Sequence, residues 1–410
     1  MKYFYTIILV FSLFFTSYGQ DKASGCNGQR YILDVFPTVT KTTVTYATNI
    51  NTLGQNQALK MDIYTPDGDT SSSRPVIIWA YGGSFITGKR SDMDSYCTAF
   101  AKKGYVTATI DYRLWPLLVK GFPTGEQILD VVVQAVSDMK GSVRYFRKDA
   151  DQTNQFKVDP ARIIVGGISA GAITALHAAN LNDQDVLTPF IQNAVDKNGG
   201  IYGNTGDSLM LTYPSDVLSV INLSGGLYDA NWLDSNSPPF VSYHGDADAT
   251  VPYNTGIANG LLYIEGSKKL KERSDAIGLN NYLVTVPGGG HTDIYTDTKY
   301  SNYLAEFTLN TVLFMEDLLC GATSSREPIV SEELKARPNP GQFEINIDLP
   351  EIGDYSILMY NSLGQVIRQF EIDNNDKISI PRQNLPNGMY FVQMMNQNNN
   401  KQFVSRVVFN

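Results

Sequence analysis

A serine with glycines two positions to either side, Gly167-Ile-Ser-Ala-Gly171, lies between a β-branched run ending near Val165 and a helical pattern starting near Ala170. A strand turning sharply into a helix there would lift the Ser169 hydroxyl above a sheet, with the glycines letting strand and helix approach closely. The five-residue pattern alone recurs by chance; the strand-turn-helix setting gives it weight. A serine hydroxyl is a poor nucleophile near neutral pH and needs a base. Of the chain's three histidines, His177 falls on the helix after Ser169 and should point elsewhere. His244 ends a predicted strand before Gly245 and is expected to brace a loop. His291 follows Gly288-Gly-Gly290 on a loop free to carry an imidazole over the sheet edge, with a plain surface histidine as the alternative.

An acid is needed to hold the imidazole tautomer and to stabilise its charged form. Asp248, in His244-Gly-Asp-Ala-Asp-Ala-Thr-Val-Pro252, is the candidate and Asp246 the competitor. Tyr81-Gly-Gly-Ser-Phe85 follows another strand, so the amides of Gly83 and Ser84, joined by that of Ala170, could receive a developing oxyanion. Read alone, that glycine pair is an ordinary turn. Together these groups suit attack on a carbonyl carbon through an acyl-serine.

The elements that must bring such distant residues together are legible as an alternation. From about Thr42 to Leu319, short apolar runs alternate with helical patterns, which predicts a mostly parallel α/β sheet covered on both faces. The inner strands are expected at 75–80, 105–110, 162–165, 217–221, 240–243 and 281–286. Val132, Val136, Met139, Val143 and Phe146 recur at helical spacing, with Lys140, Arg144 and Arg147 displaced from that apolar stripe. Further helices are expected over 170–180 and 303–319. Between Asn182 and Tyr213 the rhythm breaks at Gly199, Gly200, Gly203 and Gly206, as in an excursion over the sheet. Tyr81, Phe85, Trp115 and Trp232 are candidate substrate contacts, although Trp115 and Trp232 also suit a core.

The chain has 410 residues, 43% of them hydrophobic, enough for one large and one small folding unit. A net charge of -9, without a basic stripe, argues against nucleic acid as a partner. Lys2 precedes an apolar stretch from Tyr3 to Phe15, followed by Ser17 and Gly19, so residues 1–19 read as an export signal. The apolar run is shorter than the roughly 20 residues needed to cross a bilayer, so no stable membrane span is expected. In an oxidising compartment two of Cys26, Cys97 and Cys320 could pair and leave one free, or all three could stay buried thiols.

After Cys320 a polar linker, 323–336, separates a domain at 20–322 from a tail at 337–410. In the tail, Phe343, Ile345 and Ile347 alternate with polar residues, and short strands follow at 355–360, 366–372, 377–380, 389–395 and 403–409. Turn signals at Asn361-Ser-Leu-Gly364 and Asn387-Gly388 separate some of them, predicting a small all-β sandwich.

Trp79-Ala-Tyr-Gly-Gly-Ser-Phe-Ile-Thr-Gly88 resembles the oxyanion loop of carboxylesterases and hormone-sensitive-lipase-like esterases, and Asp111-Tyr-Arg-Leu114 resembles the strand end that follows it there. The order Ser169, Asp248, His291 also matches these α/β-hydrolases. The resemblance spans about 60–319 and implies carboxylic ester hydrolysis without a metal or organic cofactor. Tyr81 stands where many relatives have His, and Ser84 where they have a third Gly, which puts the size of the acyl pocket in question. A prolyl-oligopeptidase-like peptidase and a binding protein on a hydrolase scaffold are the rival readings. The tail, from Arg337-Pro-Asn-Pro340 through Leu385-Pro-Asn-Gly-Met-Tyr-Phe391, resembles the C-terminal sorting domain of the type IX secretion system of Bacteroidota. That implies the secretion machinery as a partner, passage through the outer membrane, and release or surface attachment. A carbohydrate- or protein-binding β-sandwich is the alternative for the tail.

Overall fold

The computed structural model describes residues 22–321, 332–361, 366–399 and 401–410. The expected export signal, most of the linker and residues 362–364 of one tail turn lie outside them.

Strands β1 (Val39–Ile50), β2 (Asn56–Pro66), β3 (Arg74–Ala80), β4 (Val106–Ile110), β5 (Val158–Ile168), β6 (Ser219–Leu223), β7 (Gly226–Leu227), β8 (Phe240–Gly245), β9 (Thr255–Ala258), β10 (Leu262–Gly266) and β11 (Asn281–Val286) build the larger unit. Eight of them form one sheet in the order β1-β2-β4-β3-β5-β6-β8-β11. The ladders from β4 to β11 are all parallel, whereas β1 to β2 and β2 to β4 are antiparallel. Every residue of β3, β4, β6 and β8 is buried. Successive side chains point to opposite faces, so both faces of the sheet are covered. The β1–β2 hairpin is absent from the predicted strands because β1 is exposed along much of its length and lacks a continuous apolar run.

Helices α1 (Asp94–Ala101), α2 (Leu117–Lys120), α3 (Gly125–Gln152), α4 (Ala170–Asn180), α5 (Pro189–Lys197), α6 (Ser267–Ile277), α7 (Asp293–Thr296) and α8 (Ser301–Cys320) complete the unit. At the start of α3, Thr124 Oγ1 accepts from the Gln127 amide at 3.3 Å and Gln127 Oε1 accepts from the Thr124 amide at 2.9 Å, a reciprocal cap. The predicted apolar stripe of α3 is buried, and so are Lys140, Arg144 and Arg147, which the sequence pattern sets apart from it. The excursion covers the first two, while Arg147 donates to the Pro160 carbonyl and pairs with Asp216. Lys140 Nζ donates to the Ile201 carbonyl at 2.7 Å and Arg144 Nη2 to the Tyr202 carbonyl at 2.6 Å, so these cations satisfy backbone oxygens of a glycine-rich loop. That loop also contains α5, which the glycines masked in sequence.

The tail holds β12 (Glu332–Glu333), β13 (Ala336–Arg337), β14 (Glu344–Asn361), β15 (Val366–Pro381), β16 (Gly388–Asn396) and β17 (Gln402–Phe409). They form a six-stranded sheet, β12-β17-β16-β14-β13 with β15 on β14, antiparallel except where β12 meets β17. Ile345, Ile347, Tyr355, Ile357, Met359 and Val392 belong to its own core. Phe343 is 83% exposed and precedes the strand it was expected to open. Cys26 and Cys320 form a disulfide that fastens the N-terminal segment to the end of α8, and Cys97 is free and buried.

Candidate active site

Ser169 stands between β5 and α4 with φ 56° and ψ -119°, a region a residue with a Cβ enters only when its surroundings hold it there. Its amide donates to the Leu223 carbonyl at 2.8 Å, and its carbonyl accepts from the Ile173 amide at 2.9 Å. Gly171 makes the tight turn sterically feasible, since a Cβ there would lie 2.0 Å from the Ala80 carbonyl oxygen. Helix and sheet therefore meet at van der Waals distance directly behind the serine.

His291 Nε2 lies 2.8 Å from Ser169 Oγ, and His291 Nδ1 lies 2.6 Å from Asp248 Oδ2. A carboxylate oxygen only accepts, so Nδ1 carries the proton and Nε2 is left to accept from the serine hydroxyl. The loop holding His291 is tied down: Asp246 Oδ1 accepts from the Gly288 amide at 2.6 Å, and Tyr300 OH donates to the Gly288 carbonyl at 2.6 Å. The competitor Asp246 thus braces the histidine loop, and Asp248 is the acid beside the imidazole.

Asp248 has further partners. Its Oδ1 accepts from the amides of Thr250 and Val251 at 2.8 and 2.9 Å, and His244 Nε2 is 3.2 Å from Oδ2. His244 Nε2 also faces the Val251 carbonyl at 3.0 Å while Nδ1 faces Ser267 Oγ at 2.8 Å. Its Nε2 proton therefore points between two acceptors, and Nδ1 accepts from the Ser267 hydroxyl. Burial pushes the Asp248 carboxyl up, but the hydrogen bonds from His244 and His291 more than reverse this, leaving it well below the usual carboxylate range. The sequence places His244 as a brace; it does not reveal that the aspartate accepts from two imidazoles.

Gly83 has φ 122°, and a Cβ there would sit 2.2 Å from the Thr87 carbonyl oxygen, so only glycine fits. Ser84 and Phe85 follow at φ 57° and 61°. Among the described residues, the amides of Gly83, Ser84 and Ala170 have no intramolecular acceptor, and Ala170 opens α4 at its positive end. Beside Ser169 is a cavity of about 370 Å³, counting its open mouth, lined by Phe85, Ile128, Ile173, Val251, Leu261 and Leu262 together with Ser84, Ala170 and Asn259. Of the four candidate substrate contacts, Phe85 alone lines it. Tyr81 and Trp115 line a separate groove, with Tyr81 stacked on Tyr112 at 4.5 Å. Trp232 packs edge-on against His177 in an apolar recess, and burial pushes His177 down to about 4, a neutral core histidine.

Residues 61–204 match the BD-FAE family model and residues 335–410 the secretion system C-terminal sorting domain. Over 69% of its length the chain superposes on 96% of Thermogutta terrifontis esterase 2 phosphorylated by paraoxon, with a TM-score of 0.50 and 20% identity. The chain has the α/β-hydrolase fold, followed by a region that matches a sorting domain. Parts of the hydrolase are similar to phenmedipham hydrolase of Pseudarthrobacter oxydans, 36% identical over 116 residues, which are 28% of this chain and 21% of that protein. Carboxylesterase 3 of Pongo abelii is 30% identical over 143 residues, 32% of this chain and 24% of the relative. Fumonisin B1 esterase of Sphingopyxis macrogoltabida is 31% identical over 121 residues, 28% and 21% of the two chains. The hydrolase thus spans between a fifth and a quarter of the length of these curated relatives. The tail addresses it to the cell surface or the surrounding medium. No helix among the described residues is long and apolar enough to cross a membrane.

Proposed function

We propose that this α/β-hydrolase is an exported carboxylic ester hydrolase working through an acyl-enzyme on Ser169. His291 Nε2 takes the hydroxyl proton as Ser169 Oγ attacks the ester carbonyl carbon, and the amides of Gly83, Ser84 and Ala170 receive the oxyanion. Collapse expels the alcohol, which takes its proton from His291. Water then gives a proton to His291 and attacks the acyl-serine, and as the acyl carbon–Oγ bond breaks Ser169 takes that proton back and the acid is freed. Asp248 holds the imidazole tautomer and stabilises the imidazolium throughout.

The observation that carries this reading is the continuous relay from Ser169 Oγ through His291 to Asp248, at 2.8 and 2.6 Å. The printed names of the relatives support an ester bond as the target. Short acyl esters, feruloyl or acetyl groups on plant polysaccharide, and polyesters are the substrate classes in view. The reading includes a leader at 1–19, a catalytic domain at 20–322, a linker at 323–336 and a sorting domain at 337–410. Hydrolysis of p-nitrophenyl acetate and butyrate by the wild type and by Ser169→Ala tests it. Loss of turnover on the order of 10⁶-fold is expected, as for other serine nucleophiles; equal rates would end the proposal.

A further inference from the structure

The cavity beside Ser169 is bounded by a turn that the motif reading did not include. β9 and β10 pair as a hairpin, Ala258 opposite Leu262, and its tip is Asn259-Gly260-Leu261. Asn259 and Gly260 have φ 48° and 70°, the left-handed backbone that an Asn-Gly pair adopts readily. From this tip Asn259 reaches both halves of the candidate machinery. Its backbone amide donates to the Thr250 carbonyl at 3.1 Å, on the loop whose Thr250 amide holds Asp248 Oδ1. Its side-chain Nδ2 donates to Ser84 Oγ at 2.8 Å, on the loop that presents the free amides. The same turn rests against the start of α3, where a Cβ on Gly125 would lie 3.0 Å from the Leu261 carbonyl oxygen.

Which part of an ester fills this cavity follows from the proposed reaction, on which this inference rests. The leaving oxygen must face His291 Nε2 to be protonated, and His291 does not line the cavity, whereas Ser169, Ser84 and Ala170 do. The acyl portion therefore occupies it. Its enclosed volume of about 30 Å³ is far below the roughly 300 to 1,000 Å³ of small-molecule sites, so it has room for a short chain only, and its wall is apolar apart from Ser84, Ser169 and Asn259.

We propose that Asn259 is a specificity-determining residue: by bridging the acid loop and the oxyanion loop it holds the hairpin tip across the acyl cavity and restricts the enzyme to esters of short, unbranched acids. Ser84 has a part in this. Where the resembling esterases carry a third glycine, this chain carries a hydroxyl in the left-handed region, and that hydroxyl is what the hairpin grips. The serine that departs from the commoner loop thus has a partner in the asparagine opposite it.

The test uses the full chain and p-nitrophenyl esters of acetate, butyrate, hexanoate and octanoate. Wild type is expected to lose kcat/KM steeply beyond butyrate. Asn259→Ala should raise the hexanoate-to-acetate ratio about tenfold, a change of the size one or two methylenes make in an apolar pocket. Ser84→Gly should move the ratio the same way. General loosening of the fold would lower all four esters together, so the ratio separates specificity from stability. A ratio unchanged within about twofold in both variants, whatever the rate on acetate, overturns the inference and leaves ester hydrolysis standing. Should the wild type hydrolyse none of the four, or Ser169→Ala all of them equally, the underlying reading falls instead. Labelling of Ser169 by ethyl and octyl fluorophosphonates provides a readout without turnover: the octyl reagent should gain on the ethyl reagent in Asn259→Ala.

Discussion

Asp248 is the residue on which the site's protonation states converge. It faces N–H donors on every side: two amides on Oδ1, and imidazole protons from His244 and His291 on Oδ2. An asparagine here has one oxygen and one NH₂ for the same four donors, so a donor must meet a donor whichever way the amide is turned. If the NH₂ faces His291, the imidazole is driven to the tautomer with its proton on Nε2, which cannot accept from Ser169. Asp248→Asn should therefore lower kcat by on the order of 10⁴, as when an aspartate is replaced in other such triads, while leaving the fold intact. Asp246→Asn removes a charge that braces the Gly288 amide without touching the imidazole, and should cost far less. Steady-state kinetics of the two variants beside circular dichroism check this. A larger loss at Asp246 would reverse the assignment of the acid.

The elements show where the sequence was informative. The six predicted inner strands are all present; four of them are buried along their whole length, which favours the short β-branched and aromatic runs they were read from. The proposed nucleophile, base and acid were legible for a related reason: each follows the end of a sheet strand, close to glycines in the same turn. Asn259 was not, since β9 is half exposed and too short to show a period, although Asn259-Gly260 is itself a hairpin signal. Helix α3 failed in another way. Its stripe was right, but the cations set apart from the stripe are buried too, Lys140 and Arg144 under a loop whose glycines conceal its packing. Burial, helped by the Arg144 charge, pushes the Lys140 ammonium down to about 8, against 10.5 for a free lysine. Between those values this side chain binds more protons in the unfolded chain than in the folded one, so its own contribution to stability rises with pH across that window. The contribution is up to about 3 kcal/mol. Urea midpoints measured from pH 7.5 to 10 should climb for wild type relative to Lys140→Met; parallel curves would show that Lys140 does not titrate in this window.

At the scale of the molecule, the disulfide joins positions 294 residues apart and so closes nearly the whole catalytic unit into one loop. The Ala23 amide donates to the Leu319 carbonyl at 2.7 Å beside it, so the N-terminal segment and the end of α8 are fastened covalently and by the backbone, immediately before the linker to the sorting tail. A cross-link over so long a loop acts mainly on the unfolded ensemble, and losing one commonly costs about 2–5 kcal/mol. Cys26→Ser should lower the urea midpoint of the wild type accordingly. Reductant should bring the wild type down to the variant's midpoint and leave the variant where it is. Cys97 provides an internal control, because burial pushes its thiol up and closes it to reagents. The native wild type should therefore take up no alkylating label, and the urea-unfolded chain, kept oxidised, one equivalent. Coincident midpoints for wild type and Cys26→Ser under oxidising conditions, or three equivalents of label on the unreduced unfolded chain, would mean the two cysteines do not pair in the exported protein.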